Sequence, residues 1–526
     1  MKQNAVEING DLAPTKSHRR SLFKIHSWVG FHFALLMFVV LATGTIATLS
    51  NEIDWLLNDA LRVTPSDDRV SWQTMTEAIK QHDPSLNIHT FQKMSGDYLA
   101  YRATVSDELG NRYYLYVDQW TGKVTGTTGL LTVQRFFRDF HRYLFMPSII
   151  GLPIVASMAF VLAISLYTGL KTSRNWRTLM TRVRLNKGAR VFIGDAHKAA
   201  GLWSIWFFVI VIFTSVWYLA ELGGNINARF GGQSFEPSRP SLSQERVKSF
   251  GDVVNIRSTE DILQATKAVF PELDATEIFY PIKPNQGITV LGDRRNPILR
   301  SRANRIFFDP ESLEPLKIQR SEDIGIVAWI NEVADPLHFG YFGGITTKLI
   351  WFIFGLAMTG LSASGVWLTW RRLKSSAISK TQFATMPVIG IGLLIAYFAW
   401  YPNYKNTLDE APKLEKTLQP LVDGNISIEG YLGIGNGDDT AKPDGSVRLV
   451  ISAENGWPNL QQITLSLDTG ESNESNEITI KSIFYNTNTV IKPKFDKALL
   501  AKAKSLTAKV SLHSGRHLIF NWPLNM

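Results

Sequence analysis

The chain contains no cysteine. That absence excludes disulfides, thiolate metal sites and the Cys-x-x-Cys-His motif that attaches haem covalently. Any metal must be held by histidine, carboxylate, methionine or backbone, and histidine is itself scarce, with 10 in 526 residues. A glycine-rich turn between a strand and a helix, the fingerprint of a dinucleotide site, is also missing. The run Gly433-Ile-Gly435-Asn-Gly437 lies among turn residues instead. No flavin or nicotinamide module is apparent.

What is there is concentrated. The apolar fraction is 45% and the aromatic fraction 11%, averages that suit a globular protein, but the apolar residues cluster in long runs. A bilayer-crossing helix needs about 20 such residues. Five candidate spans run roughly over Trp28–Leu49, Pro147–Leu170, Gly201–Leu222, Leu349–Trp370 and Met386–Trp400, the last of them short. The first is too long for the apolar region of a cleaved secretory signal. The formal charge of +9 would suit nucleic acid if it were spread over one surface. Instead the cations flank the apolar runs: Lys16, Arg19, Arg20 and Lys24 before the first, Lys171, Arg174, Arg177, Arg182, Arg184, Lys187 and Arg190 after the second, and Arg371, Arg372 and Lys374 after the fourth. Cytoplasmic loops carry such an excess. All three basic segments fall inside if the N-terminus is cytoplasmic. The expected partner is therefore the lipid bilayer of a bacterial inner membrane, not nucleic acid.

The expected fold is a membrane α-helical bundle with four core spans and a probable fifth. Its order is a basic N-terminus (1–25), a span (26–50), a periplasmic α+β domain (51–140), a span (141–171), a cytoplasmic loop (172–196), a span (197–222), a second periplasmic α+β domain (223–337), a span (338–371), the fifth span (386–402) and a periplasmic β-rich domain (403–526). The last domain reads as a small β-sandwich, from short runs such as Val447–Ile451, Ile463–Leu467 and Ile478–Phe484 between Asn, Asp and Gly turns. In it, His513-Ser-Gly-Arg-His517 reads as a hairpin turn rather than a metal site.

The membrane half is one unit used twice. His26-Ser-Trp-Val-Gly30 opens the first span and His197-Lys-Ala-Ala-Gly201 the third. Each soluble segment then shows a helix (Trp72–Gln81, Thr259–Phe270) and strands ending in an Asp and a turn, at Asp118 and Asp309. Each closes with a histidine before the returning span, His141 or His338. A parallel repeat implies a pseudo-two-fold axis along the membrane normal. That operation pairs His26 with His197 near the cytoplasmic surface and His141 with His338 near the periplasmic one. Ionisable residues at membrane depth point to function, and two axial imidazoles make a six-coordinate haem iron. The expected cofactors are two haems b, held by those four histidines. Arg19, Arg20, Lys24 and Arg142 lie close enough in sequence to serve haem propionates, and Gly30 and Gly201 would let a ring or a helix approach. His32 is a second candidate for the cytoplasmic-side haem, a proton-path residue or a hydrogen-bonding group.

The chain resembles the PepSY-associated transmembrane family. The resemblance rests on the basic start into His26-Ser-Trp-Val-Gly30, Gly44-Thr45 with Asn51-Glu52-Ile53-Asp54-Trp55, the two PepSY-like domains, His141, Asp195-Ala-His197 and Leu337-His338-Phe-Gly, and covers roughly residues 17–375. The fifth span and the tail after Tyr401 depart from the shorter family pattern. Family members include inner-membrane ferric-siderophore reductases, so the resemblance implies haem-mediated reduction of periplasmic iron chelates with release of Fe(II). Two other classes stay open: a permease or scaffold for iron-siderophore uptake, and a PepSY-mediated protein-binding or inhibitory module.

Overall fold

A computed structural model of the protein describes residues 16–107, 110–173, 175–229, 235, 238–294, 296–373, 415–434, 443–454, 456–469, 476–481 and 488–524. In chain order, α1 (Lys16–His32), α2 (Ala34–Thr48) and α3 (Ser50–Leu57) lead into a first lobe of α4 (Trp72–His82), β1 (Asn87–Gln92), β2 (Tyr101–Ser106), β3 (Arg112–Val117) and β4 (Val124–Thr128). Helices α5 (Val133–Tyr143), α6 (Ser148–Thr172), α7 (Trp176–Thr181), α8 (Ala189–Trp203) and α9 (Ile205–Arg229) follow. The second lobe comprises α10 (Gln244–Ser249), β5 (Val253–Val254), α11 (Thr259–Val269), β6 (Asp274–Phe279), β7 (Ile288–Asp293), β8 (Asn304–Phe308) and β9 (Pro315–Gln319). Then come α12 (Ile326–Phe339), α13 (Gly344–Leu373) and a C-terminal β region. The chain divides into two compact units: Met1–Asn51 with Gln134–Gln233 and Leu337–Tyr404, and Glu52–Val133 with Ser234–Pro336 and Lys405–Met526.

The first unit is helical. Ser148–Thr172, Ile205–Asn227 and Tyr341–Arg372 are long and apolar enough to cross a membrane, and the bent pair Ser17–His32 with Ala34–Thr48 is a candidate fourth. The expected fifth span at 386–402 lies outside the described residues. Met37, Met158, Leu162, Phe207, Phe208, Trp351 and Met358 form the core. The first apolar run is not one straight helix: α1 and α2 meet at 66°, with Phe33 between them. The third run breaks in the same place, at Ser204 between α8 and α9. Both breaks fall seven residues after a histidine of the repeat and three after its glycine, Gly30 or Gly201. A residue without Cβ weakens the helix locally, and each glycine stands just before a break. A Cβ on Gly30 would meet nothing within 4 Å, and one on Gly201 only Leu361 at 3.9 Å.

The second unit is built on sheets. The two lobes, expected as separate domains, share one eight-stranded antiparallel sheet in the order β4-β3-β2-β1-β6-β7-β8-β9. They join where β1 pairs with β6, Thr90 opposite Phe279 and Gln92 opposite Glu277. Successive side chains of a strand face opposite ways. Phe91 and Ile278 face the helices, packing with Met75 and Ile79 of α4 and with Ile262 of α11 respectively, and Trp72 touches both clusters. The C-terminal region has one sheet of β10 (Glu415–Thr417), β11 (Leu421–Asp423), β12 (Ile426–Ile434), β13 (Pro443–Ala453) and β17 (Asn488–Ile491), and a second of β15 (Leu460–Asp468), β16 (Glu477–Ile480), β18 (Ser505–Leu512) and β19 (His517–Pro523). They enclose one apolar core that includes Ile428, Leu449, Leu465 and Val510. His513 to Arg516 form the turn between β18 and β19. The short β14 (Trp457–Pro458) leaves this region to pair with β5, and Asn459 Nδ2 donates to Val247 O and Gly251 O, each at 2.8 Å.

Glu277 lies at the seam of the lobes, on the face away from the helices. Burial raises its carboxyl to about 7, partly offset by the charge of Arg102. The fold therefore binds a proton that the unfolded chain releases at lower pH. Stability from this group is greatest below the unfolded value of 4.5 and declines as pH rises toward about 7, by at most about 3 kcal/mol. Glu277→Gln should flatten that decline. Thermal unfolding at pH 5 and pH 8, followed by β-sheet circular dichroism, checks it; equal pH dependence in wild type and variant would show that the carboxyl is not held neutral.

Candidate functional site

The helical unit brings the repeat's four histidines together in two pairs. The rings of His26 and His197 lie 6.4 Å apart between centroids, at 82°. Those of His141 and His338 lie 6.0 Å apart, at 37°. Helix phase explains the first pair. On α1, Arg19, Leu22, His26 and Val29 recur at spacings of three and four, the inward stripe of a packed helix, and Leu22 and Val29 are buried.

Each ring is fixed through Nδ1. His26 Nδ1 lies 3.1 Å from Ser165 O and 3.1 Å from Thr168 Oγ1 on α6. His197 Nδ1 lies 2.8 Å from Ser364 Oγ on α13. His141 Nδ1 lies 2.8 Å from Val40 O on α2, and His338 Nδ1 2.8 Å from Thr214 Oγ1 on α9. The proton positions follow. Thr168, Ser364 and Thr214 each donate their hydroxyl proton to a carbonyl of their own helix, and a backbone carbonyl can only accept. All four histidines therefore donate from Nδ1–H, and the lone pair of each neutral ring sits on Nε2.

Glycines bring the helices close around these rings. A Cβ on Gly169 would lie 3.4 Å from His26 Cε1, one on Gly365 3.6 Å from His197 Cε1, and one on Gly44 2.6 Å from His141 Cε1. A Cβ on Gly355 would lie 2.6 Å from Thr45 Oγ1. The two pairs are separated along the bundle. From Ser204, at the break beyond His197, to Thr214, beside His338, is ten residues of α9, about 15 Å.

Two carboxylates flank the pairs. Asp195, two residues before His197, takes a bidentate pair from Arg184 at 2.8 and 2.9 Å. That hydrogen bonding holds its carboxyl down at about 2. Asp139, two residues before His141, is buried and paired with Arg135 at 2.6 Å. His32 stands apart from both pairs. Its Nδ1 meets Trp28 O at 2.9 Å on its own helix, and its ring packs on Trp28 at 4.6 Å. Arg20 and Lys24 are exposed, whereas Arg19 turns toward the bundle. The hydroxyl-glycine pairs Thr168-Gly169 and Ser364-Gly365, which contact His26 and His197, are candidate site positions that sequence reasoning missed. They are legible once the repeat is extended to the returning spans.

Among the described residues no group of three or more His, Cys, Asp or Glu is placed to hold a metal ion. Two imidazoles per site are a donor set for an iron whose other ligands come with it. Metal–imidazole bonds of about 2 Å on either side of an ion set ring centres roughly 6 Å apart, which both pairs match. The residues fit haem.

The sheet unit holds a second candidate, a cavity of about 390 Å³ between the lobes. Thr76 and Lys80 of α4, Arg257, Thr259 and Tyr280 of the second lobe, and Trp457 of β14 line it. Thr76 Oγ1 donates to Thr259 Oγ1 at 3.2 Å, and Thr259 meets Tyr280 Oη at 2.8 Å. Burial pushes the Tyr280 phenol up to about 12. Trp120 is held elsewhere, donating to Asp97 O beneath Arg69. Phe342 packs into the helical core beside Trp351.

Apolar helices, a β-rich C-terminal part and paired histidines among the helices define a membrane protein with a candidate cofactor site in its bundle. The chain belongs to the family described as the PepSY-associated TM region, whose model matches residues 23–372. No curated protein matches it significantly.

The glycine geometry makes a prediction. Gly44→Ala pushes a methyl group into the His141 ring, and overpacking of this kind costs about 1–3 kcal/mol. Gly30→Ala meets open space, and alanine is the better helix former by about 1 kcal/mol. Differential scanning calorimetry in detergent should show a lowered Tm for the first and an unchanged or raised Tm for the second. The opposite order would mean that His141 does not sit against Gly44.

Proposed function

We propose that the protein is a bacterial inner-membrane electron carrier with two haems b, one held by His26 and His197 and the other by His141 and His338. In this reading it reduces ferric chelates such as siderophore-bound iron in the periplasm and releases Fe(II). The observation that carries it is the twice-repeated histidine pair, each ring donating from Nδ1 and presenting its lone pair on Nε2. Bound there, haem supplies a one-electron couple at two depths in the membrane. The chain's own part is to fix the imidazoles, keep them neutral and exclude water. Thr168, Ser364, Thr214 and the carbonyl of Val40 do the first, and burial among apolar helices does the second. The apolar core around Met37, Met158, Phe207, Phe208 and Met358 does the third. That filled core favours electron movement over the permease alternative, which needs a polar route for a solute.

The basic segments stay cytoplasmic in this reading, and the sheet unit is periplasmic. Reporter fusions at residues 180 and 460 should therefore give cytoplasmic and periplasmic signals respectively. Periplasmic activity at 180 would reverse the direction of electron flow. The donor is a quinol or a cytoplasmic reductase. The ferric chelate is a substrate whose hard oxygen ligands bind Fe(II) weakly, so reduction promotes release. The cavity between the lobes is its candidate docking place.

Protein made with haem available should show low-spin b-type bands and two haems per chain. His26→Ala or His197→Ala should leave one haem, and His141→Ala or His338→Ala should leave the other. Stopped-flow mixing of reduced protein with ferric siderophore, and a ferrous trap present, should give reoxidation and trapped Fe(II). Haem-free wild type would end the proposal. Reoxidation no faster than with iron-free siderophore would leave an electron carrier with some other acceptor.

A further inference from the structure

Arg19 carries two buried donors, Nε and Nη1, that no acceptor in the described protein meets. A guanidinium has five N–H donors and no acceptor, and it stays charged. Leaving such donors buried and unmatched costs more than the ordinary hydrogen bond they would make. The position is stable when an anion completes it. Arg19 lies seven residues before His26, two turns and about 10 Å along the same inward stripe.

The repeat carries a second arginine at the matching sequence position, exposed where Arg19 is half-buried. Arg190 lies seven residues before His197, so Arg19 and Arg190 are related by the same offset of 171 that relates His26 to His197 and Gly30 to Gly201. Arg190 is close enough to Arg372 for their charges to interact. Arg372 in turn donates from Nη1 to Ser27 Oγ at 3.0 Å, next to His26. Arg190 and Arg372 thus lie at the end of the bundle that carries the first histidine pair. The unmet donors of Arg19 call for negative charge beside them.

We infer that Arg19 and Arg190 hold the two carboxylates of one ligand whose iron lies between His26 and His197. The inference rests on the di-haem reading and adds an orientation to it. Arg19 and Arg190 would hold the two carboxylates that haem carries on one edge. The same donors would suit the phosphate of an anionic lipid, and the test separates the two sources.

Protein from haem-deficient cells, placed in nanodiscs with or without phosphatidylglycerol, is titrated with haem b and with its dimethyl ester, which lacks both carboxylates. Binding is read from the b-type absorbance, and the His141–His338 site is the internal reference. Wild type should prefer the free acid at the His26–His197 site by at least about tenfold, the scale of one charge-assisted hydrogen bond. Arg19→Gln and Arg190→Gln should each reduce that preference, and the double variant should abolish it while still binding the ester. Arg19→Lys keeps the charge without the planar fork and should restore part of it. Equal binding of acid and ester by wild type, or a preference unchanged in the double variant, overturns the inference. An effect of the variants that appears only with phosphatidylglycerol, without discrimination between acid and ester, assigns Arg19 to lipid and also overturns it. Wild type that binds neither compound overturns the di-haem reading itself.

Discussion

A neutral imidazole inside an apolar bundle has one proton to place, and the rest of the helical unit is arranged around where it goes. In all four paired histidines the proton is on Nδ1 and points at an oxygen of a neighbouring helix. Three of those oxygens are hydroxyls that have given their own proton to a carbonyl one turn back. The fourth is the carbonyl of Val40 itself. Each ring is thus tied, directly or through one hydroxyl, to the hydrogen-bond ladder of a span. A ring held this way cannot flip without breaking that tie. Imidazoles that ligate a metal are typically tied through the other ring nitrogen in this manner.

This constraint explains the small residues and the breaks. For Thr168 or Ser364 to reach a histidine, the two helices must approach closely, and the next residue on each is glycine. For α1 and α8 to carry a histidine against a returning span, they cannot simply continue the line of α2 and α9. The 66° bend at Phe33 separates a segment that positions an imidazole from a segment that crosses the apolar core. Gly30 and Gly201 stand just before each break and weaken the helix there, and neither is closely packed.

The sequence made the pairing legible, because a parallel repeat carries His26 onto His197 and His141 onto His338 whatever the local geometry. It also made the spans legible, because apolar runs of that length have few other uses. The breaks were not, since Phe33 and Ser204 interrupt no hydropathy pattern. Nor was the shared sheet. The pairing of β1 with β6 is made by backbone groups, and nothing in the side chains of Thr90 or Gln92 announces an edge that will be covered by Phe279 or Glu277. The inward turn of Arg19 among four neighbouring cations depends on helix phase. Its distance of seven from His26 is visible in the sequence, but its meaning appears only when Arg190 is set beside it.

The repeat is symmetric in its histidines and unequal in what supports them. Ring planes in the first pair are near perpendicular and in the second only 37° apart. The first pair rests on Ser165, Thr168 and Ser364, the second on one carbonyl and one threonine. Arginines accompany the first pair two turns away. A committed arginine stands beside each pair, Arg184 on Asp195 and Arg135 on Asp139, so the difference lies in Arg19 and Arg190. A cofactor at each place would be chemically the same molecule, and any difference in its potential must come from the protein, through ring orientation, hydrogen bonding and nearby charge. Uncancelled arginines stabilise the electron-rich state of a nearby site, and a committed arginine does so less. Duplication supplies two equivalent scaffolds, and divergence of the charges around them makes the sites inequivalent. The proposed electron carrier would need that inequality for a direction, and the histidines alone do not provide it.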